Sequence, residues 1–300
     1  MEAAIQVDAI EYAYGAKKAV RGISFQVAPG EVFGFLGPNG AGKSTTIKML
    51  IGQLPPQAGS IRILGMPVRG HSPEVHARMG VSFEEKNLYQ QMSAEENLRF
   101  FARLFGVKKP DIDGLLEKVD LLARKKDRVA SYSKGMRQRL MIARALINDP
   151  EVLFLDEPTD GLDPVSAQAI RRIIRERAQA GCAVLLTTHD MNEADKLSDR
   201  VAFINDGALY AVDSPENLKL KHGSRSLTVR VRRGEATEEL RLALDGEGQG
   251  GQGDEASVEG GRAALGDRLK AAVEGARILT MHTEEASLED IFIAMTGRGL

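Results

Sequence analysis

An α/β fold is what this sequence predicts: a mixed sheet flanked by helices, with an antiparallel β subdomain, an inserted α-helical subdomain and a small α+β C-terminal domain. Three observations predict it. Strand-like apolar runs end abruptly in reactive chemistry, residues 32–36 in a glycine-rich turn, 152–155 in Asp156-Glu157 and 183–188 in His189. Charges at the carboxyl ends of buried strands fall where open α/β sheets place their ligands. Between the first two runs, helical periodicity holds from about Ser93 to Lys134 with no strand signal, which marks an α-helical insertion. From about Gly223 the composition shifts, and residues 246–261 hold seven glycines in sixteen positions.

In chain order, residues 5–34 alternate as in Ile5-Gln6-Val7 and Ile23-Ser24-Phe25-Gln26-Val27, and Pro29-Gly30 turns the chain into the run at 32–36. This predicts a small antiparallel sheet leading into the core. Residues 37–44 read G-x-x-x-x-G-K-S, followed by helical character at 45–50, the strand, loop and helix context of a phosphate-binding loop. Gly37, Gly40 and Gly42 permit backbone shapes that a Cβ forbids, so that in the loop Gly37-Pro38-Asn39-Gly40-Ala41-Gly42 successive N–H groups, which every residue but Pro38 carries, can line a phosphate, with the next helix adding its positive end. Lys43 reaches the β and γ phosphates, Ser44 offers a hydroxyl to Mg²⁺, and Thr45 continues the helix start. Nucleotide binding follows.

Further on, 81–83 is a short apolar segment ending at Glu84-Glu85, and Leu98, Phe101 and Phe105, then Leu115, Val119 and Leu122, recur at helical spacing. Ser133 stands where it caps a helix over 140–147, and such an N-terminus also suits a phosphate. Asp156 is placed to hold Mg²⁺ and Glu157 to act as the base on an attacking water. Residues 158–164 form a turn-rich link carrying Asp163, 165–180 a helix, and His189 follows the strand at 183–188 to the same sheet edge. Asp206-Gly207 predicts a hairpin between 201–204 and 208–212. The expected domains are 1–222, with the helical subdomain at about 85–150, and 223–300, an accessory domain interrupted by the glycine loop 246–261.

Forty basic residues against forty-two acidic ones, a net charge of -2 and no basic block leave no footprint for nucleic acid. The one cysteine, Cys182, flanks an apolar run and reads as a small buried hydrophobe in a reducing cytoplasm. No apolar run approaches the ~20 residues that span a bilayer, and the N-terminal residues do not read as a leader. A soluble chain is expected, which serves a membrane only as a peripheral subunit.

With these motifs in view, residues 5 to about 220 closely resemble the ATP-binding cassette of ABC transporters, in particular the P-loop NTPase subunits that pair with ABC-2-type export permeases. By that resemblance GPNGAGKST is the Walker A loop, and Tyr14 is the aromatic that stacks on adenine. YSKGM, with Ser133 and Gly135, is the signature that contacts the γ-phosphate on a partner subunit. LFLDE is Walker B with Glu157 as catalytic base, GLDP carries the D-loop Asp163, and His189 is the switch histidine. Two departures stand out. Tyr132, Lys134 and Met136 replace the first, third and fifth residues of the usual Leu-Ser-Gly-Gly-Gln, and Glu84 stands at the usual Q-loop glutamine, where a carboxylate can ligate Mg²⁺. The resemblance implies ATP and Mg²⁺ as cofactors, a second ATPase subunit in a homodimer, a separately encoded membrane permease, and a place on the inner face of the cell membrane. Other readings stay open at this point: a soluble cassette ATPase acting on DNA or ribosomes, which would be expected to show a coiled-coil insertion or tandem cassettes, and a nucleotide sensor that does not turn over. Drug, sodium, lipid-linked glycan and peptide are all open as cargo.

Overall fold

The computed structural model of the chain describes residues 2–68, 70, 72–83, 88–223, 225–233, 236–243, 266, 269–270 and 273–297. Two compact units emerge, one of residues 1–215 and one of 216–298, with the last two residues counted with the first unit.

The first unit is built on two sheets. Strands β1 (Ile5–Tyr14), β2 (Lys17–Val27), β4 (Ala58–Ile63) and β5 (Met66–Pro67) form an antiparallel sheet in the order β2-β1-β4-β5. The second sheet contains β3 (Val32–Leu36), β6 (Met79–Ser82), β7 (Val152–Asp156), β8 (Ala183–Thr188), β9 (Arg200–Asn205) and β10 (Ala208–Asp213), ordered β10-β9-β3-β8-β7-β6. All its neighbours run parallel except the edge strand β10. It is therefore mixed, as the sequence predicts.

Strands β3, β7 and β8 are buried at every position, which is why their sequences read as unbroken apolar runs. Alternation nonetheless sorts their side chains between two cores. Leu153 and Leu155 join Val184 and Leu186 in the core shared with the helical subdomain, whereas Val152 and Phe154 join Phe33, Phe35 and Leu185 in the core shared with the antiparallel sheet. Phe25 of β2 stacks on Phe33 at 5.3 Å between ring centres, which fastens the two sheets together. Each such fully buried aromatic contributes about 1.5–3 kcal/mol.

Helix α1 (Lys43–Leu50) follows the phosphate loop, and α2 (Pro73–Ala77) precedes β6. The helical block holds α3 (Ala94–Leu104), α4 (Ile112–Lys118) and α5 (Lys134–Ala145). A reciprocal capping box starts α3: Ser93 Oγ accepts from Glu96 N–H, and the Glu96 carboxylate accepts from Ser93 N–H. Those bonds hold the Glu96 carboxyl below its usual range. Buried Asn97 closes the segment before it by bonding Tyr89 through both backbone groups. Leu98, Phe101 and Phe105 recur at helical spacing; Leu98 is buried, whereas Phe101 and Phe105, the latter just past the end of α3, border an open groove, and Phe105 remains 40% exposed. Helices α6 (Pro164–Gln179) and α7 (Met191–Leu197) complete the unit.

The second unit contains α8 (Pro215–His222), whose first residue is counted with the first unit, then β11 (Arg225–Arg233), β12 (Ala236–Ala243), β13 (Arg277–Glu285) and α9 (Leu288–Thr296). Its antiparallel sheet runs β12-β11-β13, and Leu227, Val229 and Val231 form a small core with Leu240, Leu242, Leu269 and Val273. The glycine loop expected at 246–261 lies outside the described residues.

Candidate nucleotide site

Strand β3 is buried throughout, so the loop that leaves it starts from fixed ground. Close packing then shapes the loop. A Cβ on Gly37 would stand 2.1 Å from the Ile204 carbonyl oxygen, and one on Gly42, whose φ is 112°, would stand 2.5 Å from the Ala19 carbonyl oxygen. Only glycine fits either place. The β9–β10 hairpin braces the loop from the side. Its turn residues Asp206 and Gly207 both have positive φ, as a two-residue type I′ turn requires. The Gly207 N–H donates to Ala41 O at 2.9 Å while Gly207 O accepts from Arg21 N–H at 2.8 Å, so one residue joins the loop to β2.

Gly40 differs from its neighbours. Its φ is 84°, yet a Cβ there meets nothing within 4 Å. Asn39, Gly40 and Ser44 are exposed, Pro38 and Thr45 half-buried, and Ala41 buried. Among the described residues no backbone carbonyl accepts from the N–H of Asn39, Gly40, Gly42, Lys43 or Ser44. An open concavity rimmed by unspent N–H groups at a helix start fits an anion. The glycines separate in a testable way. Gly37→Ala should lower the melting temperature by about 2–4 °C per kcal/mol of an overpacking cost of about 1–3 kcal/mol, and weaken nucleotide binding at least tenfold, because the loop must move off Ile204. Gly40→Ala meets only backbone strain of about 1–3 kcal/mol with no clash. Calorimetric melting and nucleotide titration of the two variants decide it, and equal loss of binding in both would contradict this account.

Lys43 is 6% exposed, its ammonium donating to Gly37 O at 2.6 Å and standing 3.3 Å from Glu157 Oε1. That Glu157 oxygen is buried and accepts no well-directed hydrogen bond, so the contact is ionic. The other oxygen, Oε2, lies 3.0 Å from His189 Nδ1. One carboxylate thus touches the lysine of the phosphate loop and the histidine after β8. The backbone there is unusual, for Glu157 has φ 47°, in the left-handed region that a non-glycine residue seldom adopts. Thr187 on β8 holds it: its carbonyl oxygen and Oγ1 both accept from Glu157 N–H, at 3.1 and 3.2 Å. The same hydroxyl donates to Asp156 Oδ1, and Asp156 is 5% exposed. Nothing in the sequence reading assigned Thr187 a part. Its signal was there, since two threonines close an otherwise wholly apolar strand.

Other predicted residues form a second group. Ser133 caps α5 by accepting from Met136 N–H at 3.2 Å. Gly135 packs against the start of α6, where a Cβ would stand 3.0 Å from Ser166 Oγ and 3.6 Å from Asp163 Oδ2. Asp163 caps α6 through Ser166 N–H, which holds its carboxyl below the ordinary range. Lys134 reaches Asp160 at 3.4 Å. Among the described residues no hydrogen bond or ion pair joins Ser133, Gly135 or Asp163 to Lys43, Glu157 or His189 in the same chain. Tyr132 is buried with its hydroxyl on Arg124 O at 2.8 Å, and burial raises its pKa, so it supports the helical block. Tyr14 is 49% exposed at the end of the β1–β2 hairpin, edge-on to Tyr12 at 4.9 Å. It pairs with Lys17, two residues from the Ala19 that abuts Gly42. Glu84, the candidate third metal ligand, lies outside the described residues.

Comparison with known proteins agrees with this geometry. The sequence profile of the ABC transporter family matches residues 20–160. A fluoroquinolones export ATP-binding protein of Mycobacterium tuberculosis is 44% identical over 289 residues, covering 96% of this chain and 91% of that protein. The Nod factor export ATP-binding protein I of Paraburkholderia xenovorans is 44% identical over 221 residues, 72% of this chain and 73% of that one. Among solved structures, the ATP-binding subunit of an ABC transporter aligns with a TM-score of 0.67 at 30% identity, covering 72% of this chain and 92% of that chain. The soluble DNA or ribosome reading is not favoured by these relatives. Aligned over nearly its whole length with an export subunit, the chain belongs to the ABC transporter family, as an ATPase of its export class.

Proposed function

We propose that this chain binds MgATP in the Lys43–Glu157–His189 site and hydrolyses it between two copies of itself to drive a separately encoded export permease on the inner face of the cell membrane. The observation that carries this reading is the Glu157 carboxylate, which touches both Lys43 and His189. The open loop at Gly40 takes the phosphate chain, Lys43 exchanges its own-chain partners for β and γ oxygens, and Tyr14 stacks on the adenine. Ser44 and Asp156 would hold Mg²⁺, with Glu84 proposed as a third ligand. An all-oxygen donor set suits that hard cation, which keeps several waters and takes the rest of its shell from phosphate. When bound, Mg²⁺ would neutralise the negative charge of the phosphate oxygens as it develops.

Glu157 orients the attacking water and takes its proton, while His189 steadies that carboxylate and faces the γ-phosphate. The products are ADP and phosphate. Among the described residues no hydrogen bond or ion pair joins Ser133 or Gly135 to their own chain's Glu157, which supports their acting on nucleotide held by the second copy, with Asp163 bordering the same surface.

Between the sheet and α3 lies a groove of about 770 Å³ lined by Val81, Phe83, Tyr89, Phe101, Leu104 and Phe105. Leu104 is 69% exposed, and Tyr89 47%. This apolar trough is the surface we assign to the permease. Tagged protein should recover a multi-spanning membrane protein from detergent extracts, and co-reconstitution should raise its ATPase rate. Leu104→Glu should lower recovery at least tenfold while nucleotide affinity stays within twofold. Undiminished recovery with Leu104→Glu would place the permease elsewhere.

A further inference from the structure

The segment 157–163 lies between the two groups of site residues and is fastened at several points. Glu157 is held at its head by Thr187, Lys43 and His189, and Asp163 at its tail caps α6. Between them buried Thr159 gives its hydroxyl to Oε2 of Glu193. Glu193 sits in the first turn of α7, four residues after His189, and is 6% exposed. Its second oxygen, Oε1, is buried with no hydrogen-bond partner among the described residues. Burial pushes its carboxyl pKa up, against the Thr159 hydroxyl and the charge of Arg171 on α6, while Asp190 and Glu157 add to the rise. A carboxyl in such a place is not held there by solvation. Removed from water and, among the described residues, only half bonded, it is costly to keep, and its bond to Thr159 ties the segment that follows Glu157 to the helix that follows His189.

We infer that Glu193 is a positioning residue for ATP hydrolysis: by accepting the Thr159 hydroxyl it fixes segment 157–163 against the β8–α7 junction, and so fixes the Glu157 carboxylate relative to His189. The inference rests on the assignment of Glu157 as the base. The chain leaves β7 through a left-handed residue, so the direction of the Glu157 side chain depends on what anchors the residues just beyond it. Within the segment a short turn, Leu162 N–H to Thr159 O at 3.2 Å, holds Thr159 and moves with it. The bond of Thr159 to Glu193 crosses to another element and is buried, whereas the neighbouring Asp160 meets Lys134 of α5 at 3.4 Å in an exposed ion pair. Neither Thr159 nor Glu193 belongs to the phosphate loop, so loss of the tie should be felt in turnover rather than in nucleotide affinity.

The test uses the full chain, with steady-state ATPase measured against MgATP concentration and melting temperature recorded for every variant. Glu193→Leu and Thr159→Val should each lower kcat about tenfold with KM within twofold, and the double variant should be no slower than either single one, because both remove the same bond. Glu193→Gln keeps an oxygen that accepts from Thr159 and should retain at least half of kcat. If Glu193→Leu fails to fold, the near-isosteric Thr159→Val carries the comparison. Wild-type kcat in Thr159→Val, a KM that rises as kcat falls, effects that multiply in the double variant, or a Gln substitution as damaging as Leu would each overturn the inference. Failure of the underlying assignment reads differently: Glu157→Gln would then turn over at the wild-type rate. Where Glu157→Gln is slow, adding Thr159→Val should slow it no further, and a further tenfold fall would show that Thr159 and Glu193 act elsewhere.

Discussion

Lys43→Ala abolishes tight MgATP binding in the expected result, with an affinity loss of at least about 100-fold. Two charge-assisted hydrogen bonds to phosphate oxygens contribute about 1.5–3 kcal/mol each, and every 1.4 kcal/mol is tenfold. The substitution also removes the ionic neighbour of the buried Glu157 oxygen Oε1, so some stability goes with it. For that reason titration of nucleotide must be paired with a thermal melt. A folded variant that binds as tightly as the wild type would remove the lysine from the site and, with it, the phosphate-loop reading.

Glu157→Gln is expected to bind ATP with near wild-type affinity and lose about 10²–10⁴-fold in kcat, the range that a positioned base supplies. Glutamine keeps an oxygen near Lys43 and His189 but cannot take a proton. ATP that stays bound should hold two chains together, so a closed dimer accumulates while the wild type stays mostly monomeric. Light scattering at saturating MgATP reads this directly. A saturated variant that remains monomeric would count against a site shared between copies, and undiminished turnover would count against the base.

Much of this was legible in the sequence because the informative residues sit at strand ends. Runs such as VLFL and AVLLTT are buried on both faces, so their limits can be read from composition, and Asp156 with Glu157 follows the first and His189 the second. The hairpin at Asp206-Gly207 was equally open, since its turn type demands those residues. The relation of the signature to the rest was less so. That Gly135 lies against Ser166 and Asp163, thirty residues on, depends on how α5 packs on α6, and no local pattern encodes that. Thr187, Thr159 and Glu193 were missed for a related reason: their partners lie thirty or more residues away, and each alone reads as an ordinary polar residue. That Phe101 and Phe105 border a groove could not be read from their spacing, because a helix that borders a groove has the same period as one that faces a core.

The brace supplied by Gly207 bears on how the protein tells ATP from ADP. With the loop pinned to β2 on one side and wedged against Ile204 on the other, its shape is set before any phosphate arrives, and the entropy of ordering it is the same for either nucleotide. Discrimination then falls to the far end of the phosphate chain. If Lys43 takes the γ-phosphate as proposed, ATP must displace Gly37 O and Glu157 from the ammonium, whereas ADP leaves one or both in place. These two acceptors are tethered to the lysine at fixed high local concentration, so they act as a built-in competitor for it. The exchange should lower absolute affinity for ATP and hasten the return of Lys43 to its own chain once phosphate has gone.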